Sequence, residues 1–542
     1  KKRKMDIKGQ IVKNQLLLFV RSTIVNPSFD SQTKETLTTP KKSFGSECKL
    51  ENSFMEKLYK TDIVEKILNQ SEYKNNKQMK KTDGKKQRNI IGIPKLSDAN
   101  KAGTKDSKKC VLILTEGDSA KTMAIAGLSV VGRDYYGVFP LKGKVLNVKD
   151  ADVDKITKNE EINNLKTIIG LKNGEVYTEQ NINTLRYGKI MVMTDQDVDG
   201  SHIKGLILNV FHSHWPSLLE IDYVTCLLTP IVKVNKKNII KSFYNLTDYN
   251  TWKDKKDTKG YHVKYYKGLG TSTTNEAKEY FRDMKKVTYV WNETCNDSLN
   301  KAFHPKMADD RKKWLETYSQ QDILDHKASL IPITDFVDKE LIHFSNYDNH
   351  RSIPSCIDGL KPSQRKILYG CFKRNLKSEI KVAQLAGYIS EHSCYHHGEM
   401  SLNMTIVAMA QNFVGSNNIN LLFPNGQFGT RIGGGKDSAS SRYIFTYLDK
   451  LTRYIYREED DAILNYLDDD GYSIEPEFYV PIIPMILING TRGIGTGYST
   501  FVPPHKPTDV INILKQRIRQ EPLDDIHPWF RGFNGTVECL DE

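Results

Sequence analysis

Three short stretches carry residue types that could do chemistry together: Glu116-Gly117-Asp118-Ser119-Ala120, Asp195-Gln196-Asp197-Val198-Asp199-Gly200 and Ser441-Arg442-Tyr443. The first two place carboxylates at the ends of apolar runs. Carboxylates held close together repel one another unless a cation neutralises them. Mg2+ takes oxygen ligands and keeps several waters, which suits a site shared with a phosphodiester. Glu116, Asp195 and Asp197 are the candidate ligands, with Asp199 as a further ligand or support. Asp195, Asp197 and Asp199 alternate, so in extended backbone they would share one side. This is not a calcium-binding helix-loop-helix loop, because Leu206 stands where its glutamate belongs. In the third stretch Tyr443 follows Arg442 after a glycine-rich run, Asn425 to Gly435. A phenol of ordinary pKa, about 10, is a poor nucleophile at neutral pH. Arg442, Arg351, His397 or a metal-linked base could activate it. Metal plus tyrosine implies DNA cleavage through a covalent intermediate.

Each motif also has a plain structural reading. An acidic turn can simply cap a helix, and with 27 tyrosines in the chain any one of them is ordinarily packing. His396 and His397 could be hydrogen-bonding turn residues. The combination favours chemistry: two acidic clusters, each ending a predicted strand.

The elements that must position these groups follow from periodicity. Val111–Thr115 and Lys189–Thr194 are short apolar runs that end at the acidic clusters, with helical segments after them. Such runs, buried on both faces and alternating with helices, predict an α/β domain with a parallel sheet. Ligands collect at the carboxyl ends of its strands. Farther on, Val382, Leu385, Ala386 and Ile389 recur at helical spacing, as do Ile406, Met409, Ala410 and Phe413. Two amphipathic helices therefore flank the polar turn Tyr395-His396-His397-Gly398-Glu399, a helix-turn-helix arrangement with the glycine-rich run as wing or loop. Lys142 and Lys144 in Pro140-Leu141-Lys142-Gly143-Lys144, and Lys267 in Tyr266-Lys267-Gly268, sit at glycine turns that can approach a phosphate backbone closely. Asp309–Leu315 reads as a charged helix start.

Near the start, Gln15–Val25 reads as a buried strand and Leu58–Leu68 as an amphipathic helix. Lys74–Arg88 holds seven basic residues against one acid, which predicts a solvated linker or a flexible DNA-facing loop. The whole chain, 542 residues with net charge +13, suggests three to five domains and a polyanionic partner. Its eight cysteines include no CxxC pair, which argues against structural zinc or a disulfide framework. There is no apolar run of about 18 residues to span a membrane, and Lys1-Lys2-Arg3-Lys4 lacks the apolar core of a secretion signal.

EGDSA, PLKGK, DQDVDGSH and YKGLGTS resemble the motifs of type IIA DNA topoisomerases, in the branch of eukaryotes and large DNA viruses. The likeness continues through IPSCIDGLKPSQRK, KVAQLAG, YHHGEMSL, NGQFGTR, GGKDSASSRYIF and PIIPMILINGTRGIGTGYS. It implies a multidomain α/β plus α+β chain: residues 1–88 as the end of a transducer with linker, 104–300 as a TOPRIM region with a Rossmann-like parallel sheet, 340–458 as a winged-helix cleavage domain, and 459–542 as the start of a tower. It implies an ATP-dependent isomerase that cuts both strands of a duplex through 5′-phosphotyrosyl links, passes a second duplex and reseals. Tyr443 with Arg442 would be catalytic; Glu116, Asp195 and Asp197 would hold Mg2+, with two ions per site. Lys142, Lys144, Lys267, Arg351, Lys361, His396 and His397 would contact DNA, and Ile494 would wedge into the base stack. Gln32 and Lys34 would reach the phosphates of ATP bound mainly by a domain outside this chain, and an exit gate is expected beyond Glu542. The implied partners are double-stranded DNA and a second copy of the chain, with no membrane and no small-molecule substrate apart from ATP. The implied location is the nucleus, or a site of viral DNA replication.

Three positions depart from the usual pattern: Lys142 where arginine is common, Ser441 where proline or alanine is common, and Thr491-Arg492 where Ala-Glu is usual. Arg492 reverses a charge beside the DNA. Two rival classes are a metal-dependent nuclease or primase-like enzyme without a tyrosyl intermediate, and a DNA-binding subunit with a decayed site.

Overall fold

A computed structural model describes residues 9–538, apart from 18, 20, 22, 31–33, 46, 48, 237, 238, 256–259, 267, 327 and 470. The chain forms two compact units. One comprises Lys1–Asp195, Leu206–Thr229 and Tyr266–Trp291; the other comprises Gln196–Gly205, Pro230–Tyr265 and Asn292–Glu542.

The first unit is built on β1 (Val111–Glu116), β2 (Tyr136–Leu141), β3 (Lys189–Met193) and β4 (Val224–Leu227), all parallel in the order β2-β1-β3-β4. The Lys286–Val290 strand runs antiparallel to β4. Leu112, Ile113, Leu114, Ile190 and Val192 are fully buried, which explains why these strands read as unbroken apolar runs. The Gly117–Val131 helix packs Ala120, Met123, Ala124 and Leu128 into the same core as Ala277, Tyr280 and Phe281 of the Thr274–Asp283 helix. At Gly127 a Cβ would lie 2.1 Å from the Phe281 ring, so these two helices approach at a residue without a side chain.

Four expectations need correction. Among the described residues of 15–25 there is no strand, and Leu17 and Phe19 are 83% and 91% exposed. An apolar run becomes a stable strand only where neighbouring strands and a hydrophobic face are offered. The 58–68 helix is two helices, Asn52–Tyr59 and Ile63–Lys80. Thr61 lies in the break, and its hydroxyl donates to the Leu58 carbonyl at 2.7 Å, the local competition that threonine brings to a helix.

The basic side chains of the lysine-rich stretch are exposed, as expected, but the stretch is not a linker or loop throughout. It is helical to Lys80, and the segment after that helix is pinned to the sheet unit. Buried Lys166 donates to the Met79 carbonyl (3.0 Å) and Thr82 Oγ1 (2.8 Å) and pairs with Asp83 at 3.1 Å. Buried Arg186 donates to the carbonyls of Gln87 (2.6 Å), Ile168 (2.7 Å) and Arg88 (3.3 Å), and to Asp98 (2.5 Å). Finally, the three alternating aspartates do not share an extended segment. β3 stops at Met193, and the Val198–His214 helix has begun before Asp199. Asp197 Oδ1 accepts the Gly200 N–H at 2.7 Å, the way an aspartate caps a helix start.

In the second unit the helix pair appears as read: Val382–His392 and Glu399–Ala410 flank the polar turn. Val382, Leu385, Ala386, Ile389, Ile406, Met409 and Ala410 lie in one buried core together with Ile367, Leu368 and Ile444. Phe413 falls beyond the helix end and is half-buried. The charged helix is Ala308–Glu316. A smaller antiparallel sheet of Val232–Lys236, Ile239–Phe243 and His262–Tyr265 has its own core of Val232, Val234, Phe243, Tyr249 and Trp252. Among the described residues no helix is long and apolar enough to cross a membrane.

Replacing Arg186 by leucine removes three hydrogen bonds from the 87–98 segment and one from Ile168, and leaves Asp98 without that partner. We expect a loss of about 3 kcal/mol in denaturant unfolding, the usual cost of breaking a buried pair. Trypsin cleavage should appear first near Arg88. Unchanged stability together with an unchanged cleavage pattern would contradict the docked description.

Candidate active site

Two carboxylates of the first unit are set by backbone. Gly117 turns the chain from β1 into its helix with φ of +76° and leaves Glu116 at the strand end. The Glu116 side chain accepts the Asp195 N–H at 3.2 Å. Asp195, just past β3, accepts the Leu269 N–H at 2.7 Å through Oδ1. A Cβ on Gly268 would stand 2.7 Å from Asp195 Oδ2, so this glycine lets the backbone close on the carboxylate. The glycine turn after Lys267 therefore cradles a carboxylate, a role that lysine-centred reasoning missed. The clue was two glycines bracketing a buried leucine.

The second unit holds the other two. Asp197 caps its helix as described, and both oxygens of Asp199 lie 3.1 Å from Arg351 Nη1. Arg351 also reaches Asp348 at 3.4 Å and sits over the Phe344 and Tyr347 rings, 5.4 Å from each centroid. Its side chain is 24% exposed, so this charge is spent largely inside the protein. The Asp348 partner was within reach of sequence reasoning, since it precedes Arg351 by three residues on one helix. The Arg351–Asp199 pair, 152 residues apart, was not. Among the described residues, no group of three His, Cys, Asp or Glu side chains is arranged to hold a metal ion by itself.

His397 packs edge-on to Tyr395 at 5.4 Å. Loss of solvent lowers its pKa below 6.5, opposed by Asp199 and Asp197 and reinforced by Arg351 and His396. His396 Nε2 stands 2.8 Å from Asp469, so that ring has a protein partner. Lys361, which partial burial holds below the ordinary lysine pKa, donates to the Arg492 carbonyl at 2.9 Å. Arg492 belongs to the antiparallel hairpin of Thr491–Ile494 and Ser499–Val502. This hairpin seats on the Ile342–Ser352 helix without room for side chains at its glycines. Cβ atoms on Gly493 and Gly495 would lie 2.3 Å from the Ser352 carbonyl and 2.1 Å from Asn349 Oδ1. Ile494, between them, is 67% exposed.

Tyr443 is 73% exposed, yet its neighbours are fixed. Ile444 is buried in the core, and its carbonyl accepts the Val382 N–H at 3.0 Å. The Ser441 carbonyl accepts the Ala383 N–H, also at 3.0 Å. Phe445 pairs with Lys381 in a two-stranded ladder. The phenol is thus presented from the start of the first of the paired helices, with the Arg442 guanidinium 6.0 Å from its ring centroid.

The remaining candidates are dispersed. Lys142 pairs with Glu160 at 2.6 Å, and its own N–H is held by Glu161. Lys144 is exposed. Lys34 is exposed, has φ of +59°, and lies 5.9 Å over the Phe29 ring in a turn closed by Phe29 and Leu37. Gln32 and Lys267 lie outside the described residues.

The depressed pKa of His397 has a definite sign. Between 6.5 and the lower folded value the unfolded chain binds the proton more readily, so this group's contribution to stability is present above pH 6.5 and fades below it. In metal-free buffer the His397 imidazole should titrate below 6.5 by NMR, and Asp199→Asn should lower it further. A midpoint at or above 6.5 would contradict the site's electrostatics.

The comparisons with known proteins fit this arrangement segment by segment. Family models match residues 1–87 (DNA gyrase B), 111–226 (Toprim domain), 227–349 (C-terminal associated domain of TOPRIM) and 351–541 (the A-type chain of DNA gyrase/topoisomerase IV). DNA topoisomerase 2 of Saccharomyces cerevisiae is 51% identical over 550 residues, spanning 100% of this chain and 38% of that protein. DNA topoisomerase 2 of Plasmodium falciparum is 52% identical over 546 residues, 98% of this chain and 39% of that protein. The chain thus spans less than two-fifths of the curated relatives it matches. A crystal structure of the Plasmodium falciparum topoisomerase II DNA-binding, cleavage and re-ligation domain superposes with a TM-score of 0.70 at 54% identity, covering 84% of this chain and 62% of that one. The chain belongs to the type IIA DNA topoisomerase family.

Proposed function

We propose that this chain is the DNA-cleaving portion of a homodimeric, ATP-dependent type II topoisomerase. The observation that carries this reading is the presentation of Tyr443: an exposed phenol on a backbone clamped by buried Ile444 and by the start of a helix-turn-helix pair. A side chain offered to solvent from so rigid a support suits a nucleophile better than a packing residue. In the proposed step the Tyr443 oxygen bonds to phosphorus as the bond from phosphorus to the 3′ oxygen breaks. The phenol proton leaves to a base, the 3′ oxygen takes one up, and the 5′ phosphate remains on tyrosine. Resealing is the reverse and needs no ATP, because the phosphodiester energy is conserved in the link. Arg442 supplies positive charge beside the nucleophile.

Glu116, Asp195 and Asp197 would hold Mg2+, and the donor set fits that ion: carboxylate oxygens throughout, with Asp195 cradled by backbone. When bound, the ion would stabilise charge on the scissile and leaving oxygens, and a second ion per site is part of the proposal. Asp199, neutralised by Arg351, acts in support. Lys144, Lys361, His396, His397 and the other basic candidates would position DNA, with Ile494 unstacking a base step. ATP would be bound mainly outside this chain, with Lys34 and Gln32 reaching its phosphates. The proposed divisions are a transducer end at 1–88, TOPRIM at 104–300, winged helix at 340–458 and the start of a tower at 459–542. The proposed location is the nucleus or a viral replication site.

Tyr443→Phe should abolish protein-linked DNA ends and leave DNA binding nearly unchanged. Asp195→Asn should lower cleavage in Mg2+ by orders of magnitude, through loss of a charged ligand. Cleaved ends without attached protein would favour a metal-dependent nuclease; covalent ends from Tyr443→Phe would sink the assignment. Ile494→Ala should lessen the bend of a short duplex, measured by end-to-end energy transfer, with the salt slope of binding unchanged, because an apolar wedge releases no counterions. An unchanged bend with a flattened salt slope would mean that Ile494 only packs its loop.

A further inference from the structure

A buried cluster holds the first turns of the Val198–His214 helix through Ser201, Lys204 and Glu340. The Ser201 hydroxyl lies 3.1 Å from the Asp197 carbonyl and 2.8 Å from Glu340 Oε1. The Ser201 N–H also donates to the Asp197 carbonyl at 3.1 Å. Lys204, 1% exposed, donates to the same Glu340 oxygen at 2.8 Å. His202 stacks on Phe344 with centroids 3.8 Å apart. A Cβ on Gly205 would come 2.9 Å from the Phe303 ring and 3.2 Å from Leu341, so the helix backbone is seated against its neighbours there.

Glu340 lies in a π-helical turn, Val337–Leu341, whose end residues are both buried. Such turns are rare and gather at functional sites. Burial alone would raise the Glu340 pKa, but Lys204, His326 and the Ser201 hydrogen bond hold it below the ordinary range. It is therefore an anion at neutral pH. A buried ion pair is weak evidence for stability, since apolar residues of similar volume often do as well. A pair kept about two turns from Asp197, and linked to it through Ser201, calls for a geometric reason.

We infer that Glu340 is a positioning residue: through Ser201 and Lys204 it fixes the first turn of this helix, and with it Asp197, in the orientation needed to hold Mg2+. This rests on the reading of Asp197 as a metal ligand. The Arg351–Asp199 pair restrains the same turn independently. Groups that orient metal ligands commonly change metal affinity by 10- to 100-fold when removed.

Ser201→Ala, Glu340→Gln and Asp197→Asn, each in the intact protein, test the inference. Two quantities are read against Mg2+ concentration: DNA cleavage, and the rise in thermal midpoint without DNA. Ser201→Ala and Glu340→Gln should each raise the half-saturating Mg2+ by roughly tenfold in both measurements, with DNA affinity in EDTA within about twofold of the parent. A role confined to packing would lower the metal-free midpoint and leave the Mg2+ concentrations alone. If Glu340→Gln does not fold, Ser201→Ala decides. Should Asp197→Asn shift the Mg2+ requirement while Ser201→Ala does not, Glu340 does not position Asp197. Should Asp197→Asn shift nothing, the metal reading falls and the inference with it.

Discussion

Negative charge at a strand end or a helix start is unfavourable until each carboxylate is given a donor, and each unit supplies donors to its own pair. Glu116 takes the Asp195 N–H, Asp195 takes the Leu269 N–H, Asp197 takes the Gly200 N–H, and Asp199 takes the Arg351 guanidinium. Three of the four donors are backbone groups. They offer partial positive charge without adding a full counter-charge, and so leave the carboxylate oxygens suited to a divalent cation. Asp199 meets the full positive charge of Arg351, which suits it to a bracing role.

Much of the local sequence follows from that need. The Leu269 N–H can reach Asp195 because Gly268 has no side chain. Glu116 sits at its strand end because Gly117 accepts a positive φ. The hairpin bearing Ile494 is similarly seated by two glycines against the helix that carries Arg351. Glycine in these motifs serves close approach of backbone to a polar group, so a lysine beside it need not be the motif's centre. Lys142, tied to Glu160, shows the same point from the other direction.

What could be read from the chain was whatever depends on periodicity. β1, β3 and the two helices at 382–410 carry apolar patterns that only one burial arrangement satisfies. The acidic clusters were placed at strand ends for the same reason. Patterns failed where tertiary partners decide. Leu17 and Phe19 look like strand residues but are exposed and lie in no strand among the described residues, and the 74–88 stretch reads as a linker although it is helical to Lys80, and Lys166 and Arg186 draw the following segment onto the sheet unit. Alternating aspartates suggested extended chain, yet capping by Asp197 turned the segment helical. Long-range pairs such as Arg351 with Asp199 leave no trace in local spacing. The family likeness of the motifs named the roles of Tyr443 and the carboxylates, but not the contacts that hold them.

The central claim is that Tyr443 becomes covalently joined to a 5′ phosphate, and it can be read at the level of a single residue. The intact protein is incubated with a labelled duplex and Mg2+, trapped with denaturant, digested with nuclease and protease, and analysed by mass spectrometry. The account predicts one modified peptide, spanning Ser441-Arg442-Tyr443, with the nucleotide attached through a phosphate on the tyrosine oxygen. A nucleotide on any other residue, or cut DNA with no modified peptide at all, would contradict it.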